Sequence, residues 1–157
     1  MKKQPTKAWM IAGLFAFAAL GLTVTPALAH HSFAMYDQTK TVTLTGVAHQ
    51  FVAQANHAEL HFYLVSPDGK LAKGADGKYV DYGIEMAGAA AVAAQGITAD
   101  TFPVGTIFSV KVNPLRDGSN FGSRVGTIAK CPAKTPPAAG KTCDSVSGST
   151  LLGGTAF

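Results

Sequence analysis

The order of the alternating segments is the feature that most constrains the fold. Five segments alternate apolar and polar residues with the period of two that is typical of half-buried strands. An alanine-rich stretch stopped by Gly96 lies between the third and the fourth segment and is long enough for a short helix. The predicted strands are Thr41–Ala53, Ala58–Val65, Lys78–Met86, Gly105–Val112 and Ser123–Cys131.

This order predicts a mainly β fold, a small five-stranded OB-like barrel with one short helix between strands three and four. Gly46 interrupts the alternation of the first strand, which indicates a bulge or a sharp bend at that position. The segment Arg116–Ser119 supplies a hairpin turn between the last two strands. A generic β-sandwich is the alternative, but it leaves the helix unexplained.

The first 29 residues have the pattern of a secretory signal peptide. A positively charged start is followed by the apolar run Met10–Leu22, and Ala27-Leu28-Ala29 forms an A-x-A cleavage site. A membrane-spanning helix needs about 20 apolar residues, and this run is shorter. We therefore expect an exported protein, periplasmic or secreted, with no membrane span after cleavage and with His30 as its first residue.

Cleavage also changes the charge of the chain. Loss of Lys2, Lys3 and Lys7 lowers the formal net charge from +4 to +1. A nucleic-acid-binding surface needs clustered basic residues, and few remain to form one. We therefore expect no nucleic-acid partner.

The two cysteines, Cys131 and Cys143, lie near the C-terminus. An even number of cysteines in an oxidising compartment predicts a disulfide. A metal–thiolate pair is the alternative, but the spacing is long and no histidine lies nearby. We expect residues 30–131 to form the barrel domain and residues 132–157 a disulfide-stapled, loosely ordered tail.

The histidines provide the candidate metal ligands. As a first residue, His30 would offer its α-amine and Nδ1 as a chelate, and one more imidazole would complete a nitrogen-only site that suits Cu(II). This arrangement resembles the histidine brace of lytic polysaccharide monooxygenases and of some periplasmic copper carriers. His31 and His57 are the candidates for the additional nitrogen.

The segment His57–His61 restricts how these side chains can act together. Residues four apart on an extended strand are about 13 Å apart, so His57 and His61 cannot both bind one ion. His57, at the entry of the strand, is the better candidate, while Glu59 and His61 are expected on a polar outer face. The sequence contains no G-x-S-x-G motif, no H-E-x-x-H motif and no glycine-rich phosphate loop.

The chain resembles a family of small exported bacterial proteins classed as a domain of unknown function. The resemblance rests on the His-His-Ser-Phe start in HHSFAMYD (His30–Asp37), on VTLTGV, on the IEM strand and on RDGSNFGS. It extends from His30 to about Ile128. Family members commonly have Asn-Pro-His where this chain has Ala55-Asn56-His57, and a tryptophan where it has Glu59. The resemblance implies export and a compact β domain, and no established activity.

These observations predict an exported small binding protein whose partner is a small molecule, a metal ion or a protein. Copper, bound through His30 with His31 or His57, is the specific expectation. One alternative is a module that recognises a protein or a small molecule without metal. A copper-dependent oxidase or monooxygenase is the other alternative, and we favour a non-catalytic protein because a chain of this size offers little room for a substrate surface.

Overall fold

The computed structural model describes residues 31–133 and 135–154, with side chains from Phe33 onward. The predicted signal peptide and His30 lie outside the described residues. Within the described ranges, no helix has the length and the apolar character that crossing a membrane requires.

The described chain consists mainly of strands. In order, the elements are α1 (His31–Ala34), β1 (Val42–Ala53), β2 (Ala58–Leu64), β3 (Asp81–Glu85), α2 (Ala89–Ala93), β4 (Ile107–Pro114), β5 (Phe121–Lys130), a 3-10 turn (Cys143–Ser145) and β6 (Thr150–Leu152).

The strands form one sheet that closes on itself. Antiparallel pairing gives the order β3-β2-β1-β4-β5-β6, and a parallel pairing joins β3 to β5 through Gly83–Glu85 and Phe121–Ser123. The first five strands therefore form a closed barrel, and α2 lies between β3 and β4 in the chain. This confirms the predicted OB-like barrel.

Alternate residues of each strand fill the interior of the barrel, because successive side chains of a strand point to opposite faces. On β2, Leu60 and Phe62 are fully buried, and the Phe62 ring packs edge-on against Phe108 of β4 at 4.9 Å between centroids. Val92 of α2 belongs to the same core cluster. The interior is thus apolar, and the polar side chains of β2 and β3 face outward.

Strands β1 and β3 differ locally from the sequence-based expectations. The bulge in β1 lies at His49, where the register against β2 shifts between Ala48 and Gln50, and not at Gly46. Strand β3 begins at Asp81 instead of Lys78, because the preceding residues form a small excursion closed by the bridge between Lys73 and Tyr79.

A disulfide and a short strand both join the tail to the barrel. Cys131 and Cys143 form the predicted disulfide, and both are buried in a small apolar cluster that includes Ala129. Strand β6, which the sequence does not predict, pairs with the end of β5. The tail therefore covers one edge of the sheet.

Candidate functional site

Glu85 contacts two side chains that come from distant parts of the chain. Its Oε2 accepts a hydrogen bond from the Tyr36 hydroxyl at 2.8 Å. Its Oε1 lies 3.1 Å from Nδ1 of His57. The His57 side chain is 44% exposed and the Glu85 side chain is 18% exposed, so the carboxylate is shielded while the imidazole reaches solvent.

The strands position His57 and Glu85 beside each other. Glu85 points outward because its neighbour Ile84 fills the core. His57 immediately precedes Ala58, which exchanges backbone hydrogen bonds with Met86 and Ala87 at the end of β3. Gly88 lets the loop before β2 approach this point, since a Cβ there would overlap the carbonyl oxygen of Ala55. A larger residue at position 88 would push this loop away.

Tyr36 reaches Glu85 because the segment that carries it is bound to the hairpin between β4 and β5. Asp37 donates its backbone N–H to Pro114, and Arg116 donates its own to Met35. Tyr36 is 1% exposed. Burial, first of all, then the hydrogen bond to Glu85 and the charges of Glu85 and Glu59, raise the pKa of the Tyr36 phenol. The phenol is therefore a neutral hydrogen-bond donor to the carboxylate.

Two further histidine–carboxylate pairs lie on the outward side of β1, β2 and β3. Nε2 of His61 is 2.9 Å from Glu59 Oε2, and Nε2 of His49 is 2.8 Å from Asp81 Oδ1. The His49 and His61 rings are 6.2 Å apart between centroids. We call the surface formed by these two pairs and the His57–Glu85 pair the histidine–carboxylate face.

The pairing has an electrostatic reason. Glu59 and Glu85 are directly opposite each other on β2 and β3. Like charges in this arrangement destabilise a sheet. Each carboxylate instead has its own partner, since Glu59 meets His61 while Glu85 meets His57 and Tyr36.

A surface cavity of about 580 Å³ lies apart from this face. Ser109, Lys111 and Thr127 of the sheet contribute to one side, while Asp144 and Leu151 of the tail contribute to the other. Leu151 is 60% exposed. The volume is within the range of small-molecule sites.

One family model matches residues 19–124 of the chain, which includes every residue of the histidine–carboxylate face. The chain belongs to the DUF6152 family, a family of unknown function. No curated protein and no solved structure matches the chain significantly. The DUF6152 match ends before Cys131, so the disulfide and the tail lie outside it.

The structure describes the side chain of only one of the three predicted metal ligands. His57 belongs to the face, His30 lies outside the described residues, and the described side chains begin after His31. Among the side chains that the structure describes, no three or more His, Cys, Asp or Glu residues are grouped so that they could hold a metal ion. His57 and His61 each have a separate carboxylate partner.

Sequence reasoning missed the roles of Tyr36 and Glu85. For Glu85 a signal was present, because the alternation of the third strand places it outward beside buried Ile84. Nothing near Tyr36 in the sequence indicates its contact, since the two residues of this bond are 49 positions apart. The pairing of His57 with Glu85 likewise depends on the register between β2 and β3.

Proposed function

We propose that the protein is an exported small binding protein that binds one copper ion through the α-amine and Nδ1 of His30. The support from the sequence is the A-x-A site directly before His30. An α-amine has a pKa near 8, so losing its proton to a metal at neutral pH costs only about 1 kcal/mol. Two nitrogens from one residue form a preorganised chelate.

The main structural support for an additional ligand is the environment of His57. Its imidazole is half exposed, and a shielded carboxylate approaches one of its nitrogens at 3.1 Å. Metal-binding histidines usually donate the ring N–H that does not face the metal to a carboxylate or a carbonyl. We propose His57 as the source of an additional nitrogen ligand, with His31 as the alternative.

The position of Tyr36 adds to this support. Tyr36 is six residues after His30 in the sequence and donates to the same Glu85 that holds His57. The described segment that follows the predicted N-terminus is thus bonded to the carboxylate behind the proposed ligand.

Copper titration of two forms of the protein tests the proposal. The first form begins at His30, and the second retains Ala29, which converts the α-amine of His30 into an amide. We expect equimolar Cu(II) binding by the first form and a large loss of affinity in the second. Equal affinity of the two forms would contradict binding through the His30 amine.

The ligand role of His57 is tested separately. His57→Ala should weaken copper binding, and His49→Ala is the matched control because His49 is also paired with a carboxylate on the same face. If both variants bind like the unmodified chain, the additional nitrogen does not come from this face, and His31→Ala becomes the decisive variant.

The surface cavity favours a second candidate function, recognition of a small molecule without metal. Its volume and its mixture of hydroxyl, charged and apolar side chains are typical of such sites. A binder of this kind should retain its ligand in the His30→Ala, His57→Ala double variant and lose it when Thr127→Trp obstructs the cavity. Loss of binding only in the double variant would exclude it.

A further inference from the structure

The surface cavity between the sheet and the tail includes polar side chains that are not engaged elsewhere. Lys111 of β4 is exposed, and within the described part of the chain its ammonium group makes no ion pair and no hydrogen bond. The hydroxyl groups of Thr43 and Thr127 also lack a hydrogen-bond partner among the described residues. These groups are therefore available to a ligand in the cavity.

The opposite wall of the cavity carries a negative charge. Asp144 of the tail is exposed, and its Oδ1 accepts a hydrogen bond from the Thr142 hydroxyl. Among the described residues, no basic side chain lies within ion-pair distance of its carboxylate, and this includes Lys111. The cavity thus presents one cation and one anion from different walls, and the two do not neutralise each other.

Apolar side chains lie between these charges. Val125 of β5 is directly opposite Lys111 in the register of the two strands. Leu151 of β6 lines the cavity from the tail and is 60% exposed. A ligand that covered Leu151 would remove apolar surface from water, which favours binding.

The tail wall is held in place before any ligand arrives. Cys143 stands between Thr142 and Asp144 and is bonded to Cys131 by the disulfide. The backbone N–H of Cys143 also donates to the Ser109 hydroxyl at 2.9 Å, and this bond is buried. A site that is already ordered loses less conformational freedom on binding.

A smaller cavity of about 200 Å³ lies under the preceding part of the tail. Thr43 and Thr142 line both cavities, so the two are neighbours on the sheet surface. The backbone N–H of Gly140 donates to the carbonyl of Pro67 and joins the tail to the loop after β2. Neighbouring cavities along one segment of the tail suit an elongated ligand.

We propose that the larger cavity binds a short peptide with free ends, its carboxylate at Lys111 and its amino group at Asp144. An apolar side chain of the peptide lies against Leu151 and Val125. A ligand with a single charge would leave one of the two charged side chains without a partner. The proposal rests on the second candidate function, recognition of a small molecule, and is independent of copper and of His30.

Calorimetric titration with the tripeptide alanyl-leucyl-alanine tests the class of ligand. We expect saturable binding of the free peptide, and weaker binding of the forms in which acetylation removes the amino charge or amidation removes the carboxylate charge. Each loss should be about 3- to 10-fold, as for a partly shielded ion pair. Equal affinity for the free and the doubly capped peptide, or no binding of the free peptide, would overturn the proposal.

Variants of the two charged side chains test their roles. Lys111→Met should weaken the free and the acetylated peptide but leave the amidated one unchanged, whereas Asp144→Asn should weaken the free and the amidated peptide but leave the acetylated one unchanged. Lys78→Met is the matched control, because Lys78 contacts Asp76 and does not line the cavity. Equal effects of Lys78→Met and Lys111→Met would overturn the assignment of Lys111.

Two further variants test the place of binding. Thr127→Trp should abolish binding by obstructing the cavity, and Cys131→Ser, Cys143→Ser should weaken it by releasing the tail wall. Peptide binding that survives Thr127→Trp would overturn the proposal. If the doubly capped peptide binds as well as the free one and Thr127→Trp abolishes both, the cavity remains a small-molecule site and only the zwitterionic class is refuted.

Discussion

At the scale of single residues, Gly46 shows how closely the core is packed around β1. It faces Phe62, a fully buried ring of β2 that packs against Phe108 and Tyr82. A Cβ at position 46 would overlap the Phe62 ring. The irregularity that the sequence shows at Gly46 thus reflects space for a ring, whereas the bulge itself lies at His49.

We expect Gly46→Ala to lower the free energy of unfolding by about 1–3 kcal/mol, because Phe62 must leave its preferred position. Urea denaturation measures the change. Gly154→Ala is the matched control, since a Cβ there meets no atom within 4 Å, and it should change stability by less than about 0.5 kcal/mol. Equal stability of the two variants would mean that the Phe62 ring can move aside without cost.

The ionisation of Asp37 makes the stability of the fold depend on pH in the acidic range. Hydrogen bonds from Thr39 and Lys40 favour its carboxylate and lower its pKa from the ordinary 3.8 to about 2. A carboxyl whose pKa is lower in the folded state stabilises the fold above its ordinary pKa, and this contribution is lost as the pH falls from about 4 to about 2. The segment that carries Tyr36 should therefore loosen in this pH range.

Comparison of the unmodified chain with Asp37→Asn isolates this contribution. Asn cannot ionise, so the variant should be less stable at about pH 6, and the difference should shrink as the pH falls from about 4 to about 2. Urea midpoints across this range measure it. A difference that is the same at about pH 6 and about pH 2 would show that the charge of Asp37 does not contribute.

At the scale of elements, the sequence predicts that a strand is present more readily than it predicts where the strand ends or with which strand it pairs. The alternation in β2 is clear because its inward side is apolar and its outward side polar, and the structure confirms it. The parallel pairing of β3 with β5, which closes the barrel, joins segments more than 30 residues apart and leaves no local pattern. β6 is only three residues long and was missed for that reason.

The disulfide should add to the stability of the fold without being required for the barrel to form. Cys131 and Cys143 belong to a small cluster that is separate from the main core. They are 12 positions apart, and closing a loop of this size contributes about 3 kcal/mol in the chain-entropy model. The Cys131→Ser, Cys143→Ser variant should therefore lose about this amount of stability in urea while its strand signal in circular dichroism persists below the transition.

The same comparison under reducing conditions provides the control. Reduction should lower the stability of the unmodified chain to that of the double variant, and the variant itself should not respond to reductant. Loss of the strand signal together with the disulfide would contradict the independence of the barrel from its tail.

At the scale of the whole molecule, the barrel brings together residues from distant parts of the chain on one outward face. His57 could be singled out from the sequence because it stands at the entry of a strand. Its contact with Glu85, and that of Glu85 with Tyr36, could not be predicted. Those contacts follow from the register of β2 with β3 and from the bonding of the Tyr36 segment to the β4–β5 hairpin. Both are tertiary features.

The proposed copper site requires export and cleavage directly before His30. Intact-mass measurement of the exported protein under native conditions, after exposure to equimolar copper, tests it most directly. We expect a chain that begins at His30 and carries one copper ion. A chain that begins at another residue, or one that begins at His30 and stays metal-free, would contradict it.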